Sequence, residues 1–437
     1  MTPGPTPATS RAWTITSRGL PRDVLALVER PTPTLPPHPL PEPEEWVLVR
    51  VSYAALNPGT IFQMTLLPHR LRRAPVNVPE MDVSGVVVDV WWPGAGVETE
   101  GDKRSSRVGG SGDGEGKENE GKDDSEGNNE DSESKADHPR FAVGDAVCAM
   151  LPAAHTLPTG TGALAEYIAF PARFAVHKPP TVPFADGCAL TAALTAHRMV
   201  LDSGARAGDS VLVIAAAGGI GSAAVQMVRH VVGGAGGEGE GGGEGGRGGE
   251  GGRGREGGRV GRVVAVCSGR NADLARSLGA DDVVDYTLHD LPRFLAATYP
   301  DTFDAVIDTH GLQAVYSSSA SFLRAGGVYA SVGVRPASFW RPDFVRAVWT
   351  MKANEVWPTS AWLGGVGRRW AGCSMMNPSL SERLAVVGLM ERGVVRVVRD
   401  SVWRFEEVRE AYDKLGGGHA AGKIVIRVDA EVAEDAC

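Results

Sequence analysis

Residues Ala215 to Ala224 read AAAGGIGSAA and contain the spacing Gly219-x-Gly221-x-x-Ala224. That spacing suits a tight turn joining a strand to a helix. Glycine in such a turn lets the backbone come close to an anion, and the helix behind it offers unpaired N–H groups and a partial positive charge. The chemistry is a cradle for a diphosphate, formed by Ala217, Gly218, Gly219, Ile220 and Gly221. Glycine-rich turns are common, so the flanks decide. Val211–Ala216 is a continuous apolar run, as in a strand buried on both faces, and small apolar residues continue at helical length through Val232. Strand, turn and helix in this order point to a dinucleotide.

A dinucleotide fold usually ends its second strand with an acid that holds the ribose hydroxyls. Here the second strand-like run, Arg262–Ser268, continues into Gly269, Arg270 and Asn271 without an acid. Ser268 and Arg270 offer a hydroxyl and a guanidinium, which suit a 2′-phosphate. The ligand expected is therefore NADPH; a solvated Arg270 in a surface loop is the alternative.

The elements that must position these groups follow a readable order. The first third of the chain shows short strand-like runs at Trp46–Ala54, Asp82–Val90, Phe141–Met150 and Gly162–Phe170, broken by Gly and Pro, as in a small β-barrel-like unit. Beyond Val211, buried strands alternate with helical stretches. Asp282–Tyr286, Phe303–Thr309 and Gly327–Gly333 are the further strands, and Ala272–Leu278 is one of the helices. This alternation predicts a doubly wound parallel sheet in an α/β protein. Helices are expected over Ser379–Arg392 and Phe405–Leu415, with a closing strand at Lys423–Val428. The tryptophans at 340, 349, 357, 362 and 370 are expected to pack in a core or a domain interface.

Composition narrows the function classes. Of 437 residues, 42% are hydrophobic, enough for two domains. No apolar run is long enough to predict a membrane span. The net charge of −9 is largely local, because residues 98–137 hold 14 acids and six bases. The rest of the chain is nearly neutral and gives no charge argument for nucleic acid. Residues 98–138 and the glycine-rich 233–259 are predicted to be disordered insertions between ordered elements. The five cysteines stand far apart with no CxxC, which suits reduced thiols and a cytoplasmic setting, a mitochondrial address being the alternative.

Eight blocks carry a resemblance: VLVRVSYAALNPGT (47–60), VPEMDVSGVVVDV (78–90), GALAEYIAF (162–170), ALTAALTAHRMV (189–200), AAAGGIGSAAVQM (215–227), SLGADDVVDYT (277–287), FDAVIDTHG (303–311) and GKIVIRV (422–428). In this order they resemble the zinc-independent branch of the medium-chain dehydrogenase/reductases, the quinone oxidoreductases and enoyl reductases. The resemblance implies a GroES-like β-barrel domain over 11–178, a Rossmann domain over 179–345 and a C-terminal segment, 346–437, that returns to the first. It implies hydride transfer from NADPH to a small-molecule quinone or activated alkene in the cleft between them, and it leaves a homodimer open. An NADPH-binding scaffold and a trans-acting enoyl reductase of a polyketide pathway are the alternatives.

By position, the resemblance places Asn57 near the nicotinamide and the substrate oxygen, to which it would donate, and Thr195 near the nicotinamide ribose. Tyr286 would join Ser268 and Arg270 at the 2′-phosphate, Gly333 would pass under the nicotinamide, and His310 would reach cofactor or substrate, or else simply close a strand end. Zinc-dependent relatives carry a Cys near Asn57 and a His-Glu pair in the segment matching Met81–Asp82. Neither is present here, so no catalytic metal is expected. Enoyl reductases of this branch often have a tyrosine about ten residues after LNP. Here Thr60–His69 has none, leaving His69 or solvent as the proton donor.

Overall fold

The computed structural model describes residues 5–35, 44–66, 74, 76–93, 139–233, 261–338, 341–357, 360–373 and 377–437. The predicted insertion at 98–138, all of the predicted insertion at 233–259 except Gly233, His69 and Trp340 lie outside them.

The first part of the chain is a β structure. Strands β1 (Thr9–Ile15) and β2 (Leu25–Pro31) pair antiparallel. The long β3 (Trp46–Ala55) leads into helix α1 (Pro58–Leu66), followed by β4 (Asp82–Trp91), β5 (Ala146–Met150), β6 (Tyr167–Pro171) and β7 (Ala175–His177). The expected strand at Phe141–Met150 is shorter at its start because residues 142–145 form a turn, Ala142 N–H donating to the Asp145 carboxylate at 2.8 Å.

The middle of the chain changes period. Helix α2 (Leu190–Ser203) precedes β8 (Ser210–Ile214), α3 (Gly219–Val232), β9 (Arg262–Cys267), β10 (Asp282–Asp285), β11 (Phe303–Asp308) and β12 (Leu323–Ser331). Then come α4 (Arg341–Val356), β13 (Arg369–Gly372), α5 (Leu380–Glu391), β14 (Arg399–Arg404), α6 (Val408–Gly416) and β15 (Lys423–Arg427). Six parallel strands run in the order β10-β9-β8-β11-β12-β13, the doubly wound order with its crossover between β8 and β11. Strand β13 extends this sheet to residue 372, past the boundary expected at 345.

The chain then crosses back. β14 and β15 join the seven-stranded sheet of the first part, in the order β14-β15-β3-β4-β5-β7 with β6 also on β3. Val425 pairs with Ala55 antiparallel, and continuing that register places Lys423 opposite Asn57. One apolar core fills the barrel, around Val49, Phe170 and Ile426. Two others cover the parallel sheet, around Val213 and Met227 on one face and Leu212, Phe322 and Tyr329 on the other.

The tryptophans correct one expectation. Trp370 is buried, but Trp349, Trp357 and Trp362 are 74%, 57% and 83% exposed. Helix α4 buries Ala347 alone, so among the described residues their neighbours do not cover them.

Candidate active site between the two sheets

The glycine turn lies where the motif puts it, between β8 and α3. Gly218 caps α3 in extended conformation, with no side-chain cap, so the first-turn amides face outward for an anion. The reason for two of the glycines is more local than expected. A Cβ on Gly221 would sit 2.1 Å from the Ala215 carbonyl oxygen. A Cβ on Gly219 would meet the Lys423 stem at 2.9 Å. The space beside Gly219 is thus taken by a lysine from the far end of the chain.

Lys423 belongs to a buried polar cluster that faces this turn. Its Nζ donates to the Leu56 carbonyl at 2.9 Å and to Asn57 Oδ1 at 2.8 Å, and lies 3.6 Å from Asp82 Oδ2. Asn57 Nδ2 donates to Glu80 Oε2 at 3.0 Å and to Asp82 Oδ2 at 3.1 Å, with the Ala55 carbonyl at 3.3 Å. Glu80 Oε1 accepts from the Tyr412 hydroxyl at 2.5 Å and from Asn57 N–H at 3.1 Å. Asp82 Oδ1 accepts from the Thr191 N–H at 2.9 Å and hydroxyl at 2.6 Å. Buried charges must be paired or neutralised, and this cluster holds two carboxylates against one ammonium. Burial raises both carboxyls, Asp82 against the Lys423 charge and the Thr191 hydrogen bonds, and Glu80 up to about 7 against the hydrogen bonds from Tyr412 and Asn57. Glu80 also sits at φ +71°, a conformation rare for a residue with a side chain, as the chain turns into β4.

The Asn57 amide has two N–H hydrogens, and three acceptors inside the cluster lie within reach of them. Thr195 is buried one turn along α2 from Thr191, and its hydroxyl donates to the Thr191 carbonyl at 2.7 Å.

Ser268, Arg270 and Tyr286 lie about the end of β9. Ser268 accepts from Asn271 Nδ2 at 3.2 Å, and Tyr286 N–H donates to the Cys267 carbonyl at 3.3 Å with its ring half exposed. Arg270 is exposed and donates to the His419 carbonyl at 3.1 Å, in the loop between α6 and β15. Asp285 borders the same turn, its carboxylate accepting from the Thr287 N–H and hydroxyl at 2.9 and 2.7 Å.

His310 and Gly333 end neighbouring strands. Asp308 holds the β11 turn by accepting from the N–H groups of His310, Gly311 and Leu312 and from the Tyr329 hydroxyl. The His310 ring contacts the Arg335 guanidinium through Nε2, and burial with that charge lowers its pKa. Gly333 has φ +134°, and a Cβ there would touch Met351 of α4.

The sequence pattern of the family described as zinc-binding dehydrogenase matches residues 278–426. A medium chain reductase of an Acremonium species is 27% identical over 442 residues, spanning 96% of this chain and 99% of that protein. The chain is similar to the medium-chain dehydrogenases/reductases. A trans-enoyl reductase of Penicillium oxalicum is 28% identical over 467 residues, spanning 98% of this chain and 100% of that protein. The fold matches a solved quinone oxidoreductase of Coxiella burnetii with TM-score 0.63 at 21% identity, over 96% of this chain and 100% of that one. Members of the superfamily that are reductases use nicotinamide cofactors, which agrees with the glycine turn.

Sequence reasoning missed Glu80, Asp82, Thr191, Tyr412 and Lys423. The signal was present: two acids in VPEMDVSG and a lysine opening KIVIRV stand in otherwise apolar runs, where charge is costly unless partnered. Among the described residues, no group of three or more His, Cys, Asp or Glu is arranged to hold a metal ion. A pocket of about 300 Å³ lined by Arg11, Arg50, Tyr167 and Arg427 lies in the β domain and shares none of these residues.

Proposed function

We propose that this chain is an NADPH-dependent, zinc-independent reductase that delivers hydride to an activated alkene, an enone or enoyl group, or to a quinone. The observation that carries the reading is Lys423, whose stem lies on Gly219 of the phosphate turn while its ammonium holds Asn57. One side chain thereby joins the dinucleotide half of the cleft to the half that faces the reacting ring.

The fit to a dinucleotide rests on uncapped amides at the start of α3, and on Ser268, Arg270 and Tyr286 about the end of β9. The nicotinamide would supply the hydride. The chain's own residues bind and orient: α3 takes the diphosphate, Arg270 exchanges the His419 carbonyl for the adenosine phosphate, and Asn57, Thr195 and Gly333 line the nicotinamide side. The zinc-independent reading is supported by Lys423, whose ammonium already stands between Asn57 and Asp82. A dication added there would meet a like charge in a buried setting. The enoyl class is favoured by the Penicillium relative, which aligns over nearly its full length. It also keeps open that the acceptor is presented by a partner enzyme.

The test is binding, then turnover. Fluorescence titration with NADPH, followed by NADPH oxidation on a panel of quinones, free enones and acyl thioesters, should show saturable binding and turnover on at least one class. Binding with no turnover on any class would replace the reductase by the scaffold reading.

A further inference from the structure

We propose that Asp285 is a specificity-determining residue for the coenzyme: its carboxylate takes the place of the acid that β9 lacks, opposes Arg270 over the 2′-phosphate, and leaves the chain able to use NADH as well as NADPH. The inference rests on the dinucleotide half of the reading above and deepens it.

Strand β9 ends at Cys267 and runs into Ser268, Gly269 and Arg270 without an acid of its own. The parallel register sets Asp285, the last residue of β10, beside Cys267. From there the carboxylate reaches the turn that follows β9. It accepts the Gly269 N–H, and a Cβ on Gly269 would sit 2.4 Å from its Oδ2. Gly269 has no positive φ, so its backbone does not call for glycine. What calls for it is the room that the carboxylate takes. Gly269 separates Ser268 from Arg270, so the negative charge stands at the residue between the two groups that suit a 2′-phosphate.

That charge is held in place and left unneutralised. Thr287 donates its hydroxyl to Asp285 Oδ1 at 2.7 Å and its N–H at 2.9 Å, which keeps the carboxyl below its usual range. Arg270 donates to the His419 carbonyl instead, and no arginine or lysine among the described residues forms an ion pair with Asp285. A carboxylate has about four acceptor positions. Thr287 and Gly269 use three of them. The one left can take a ribose hydroxyl, which is the task of the acid at this place in NAD-binding folds. Toward a 2′-phosphate the same carboxylate is repulsive, and it withholds the Gly269 amide from the phosphate oxygens. Arg270 pulls the other way. Opposed charges at one turn leave a small net preference for NADPH.

The experiment is calorimetric titration with ADP-ribose and with 2′-phospho-ADP-ribose, which share the diphosphate and differ only at the 2′ position. Wild type should hold the phosphorylated ligand no more than about tenfold tighter than the other. Asp285→Asn keeps its oxygen on Thr287, where two donors outweigh one, and so turns its NH2 to Gly269 and releases that amide. It should bind 2′-phospho-ADP-ribose about fivefold tighter and ADP-ribose about fivefold more weakly. Asp285→Ser, which removes the charge with no amide to orient, should shift the two ligands in the same opposite directions. With menadione as acceptor, kcat/KM for NADPH over NADH should rise about tenfold in Asp285→Asn, carried by KM rather than kcat. The titrations need no acceptor, so they decide the inference even where no substrate turns over. A wild-type preference far beyond tenfold, or variants in which the two ligands shift together or stay unchanged, overturns the inference and leaves the dinucleotide site standing. Wild type that binds neither ligand overturns both.

Discussion

The Lys423 ammonium donates to Asn57 Oδ1 at 2.8 Å across 366 residues of sequence. The pair forms because β15 returns to β3 with Val425 opposite Ala55. The same lysine touches Gly219, so the closing strand sets the distance between the barrel and the parallel sheet at the cleft.

Gly221 should be intolerant of a methyl group. Its Cβ would overlap the Ala215 carbonyl, which is backbone and already strained at φ +57°. Gly221→Ala should lower stability by about 1–3 kcal/mol in urea unfolding and weaken NADPH binding. Unchanged stability would show that the turn relaxes freely.

Glu80 should make stability depend on pH. Its carboxyl is raised from 4.5 to about 7 in the fold, so the folded state prefers it protonated. Its contribution is whole below pH 4.5 and is lost as pH rises through 7. Relative to wild type, Glu80→Gln should gain stability across that window, by on the order of 3 kcal/mol at its upper end. Paired urea titrations at several pH values measure the difference, and a constant offset would contradict it.

Arg270 is exposed and bonded to a carbonyl, so it can exchange that bond for a phosphate. Arg270→Ala should raise KM for NADPH about tenfold and leave KM for NADH nearly unchanged. Asp285, at the same turn, makes the comparison of the two coenzymes necessary. Equal effects on both would remove the 2′-phosphate assignment.

Residues 234–260 should be dispensable for folding. The ends on either side nearly touch: a Cβ on Gly261 would lie 2.4 Å from the Val232 carbonyl. Replacing the segment by a short turn should change stability by no more than about 2 kcal/mol, toward greater stability, since a shorter loop costs less entropy to close. Calorimetry of the shortened chain checks this.

The tryptophans divide by burial. Trp370→Ala should cost about 3–5 kcal/mol, because Trp370 packs in the core under β12 and β13. Trp349→Gln, at an exposed site on α4, should stay within about 0.5 kcal/mol. A large loss at Trp349 would mean that another surface covers α4.

The sequence by itself determined the dinucleotide half. Val211–Ala216, the glycines from 218 to 221 and the apolar run to Val232 specify strand, turn and helix locally, so their chemistry was legible before any contact was known. The alternation of buried strands after them fixed the parallel sheet for the same reason. What only the tertiary structure decided is the buried polar cluster that faces the turn. Glu80, Asp82, Tyr412 and Lys423 read singly as misplaced charges or core aromatics, and their meaning comes from partners hundreds of residues away. The exposure of Trp349, Trp357 and Trp362 went against the sequence expectation, because a side chain that is large and apolar does not say which neighbour covers it. Local pattern sets backbone geometry, whereas a buried charge is stabilised only by whichever long-range pairing the sheet register brings to it.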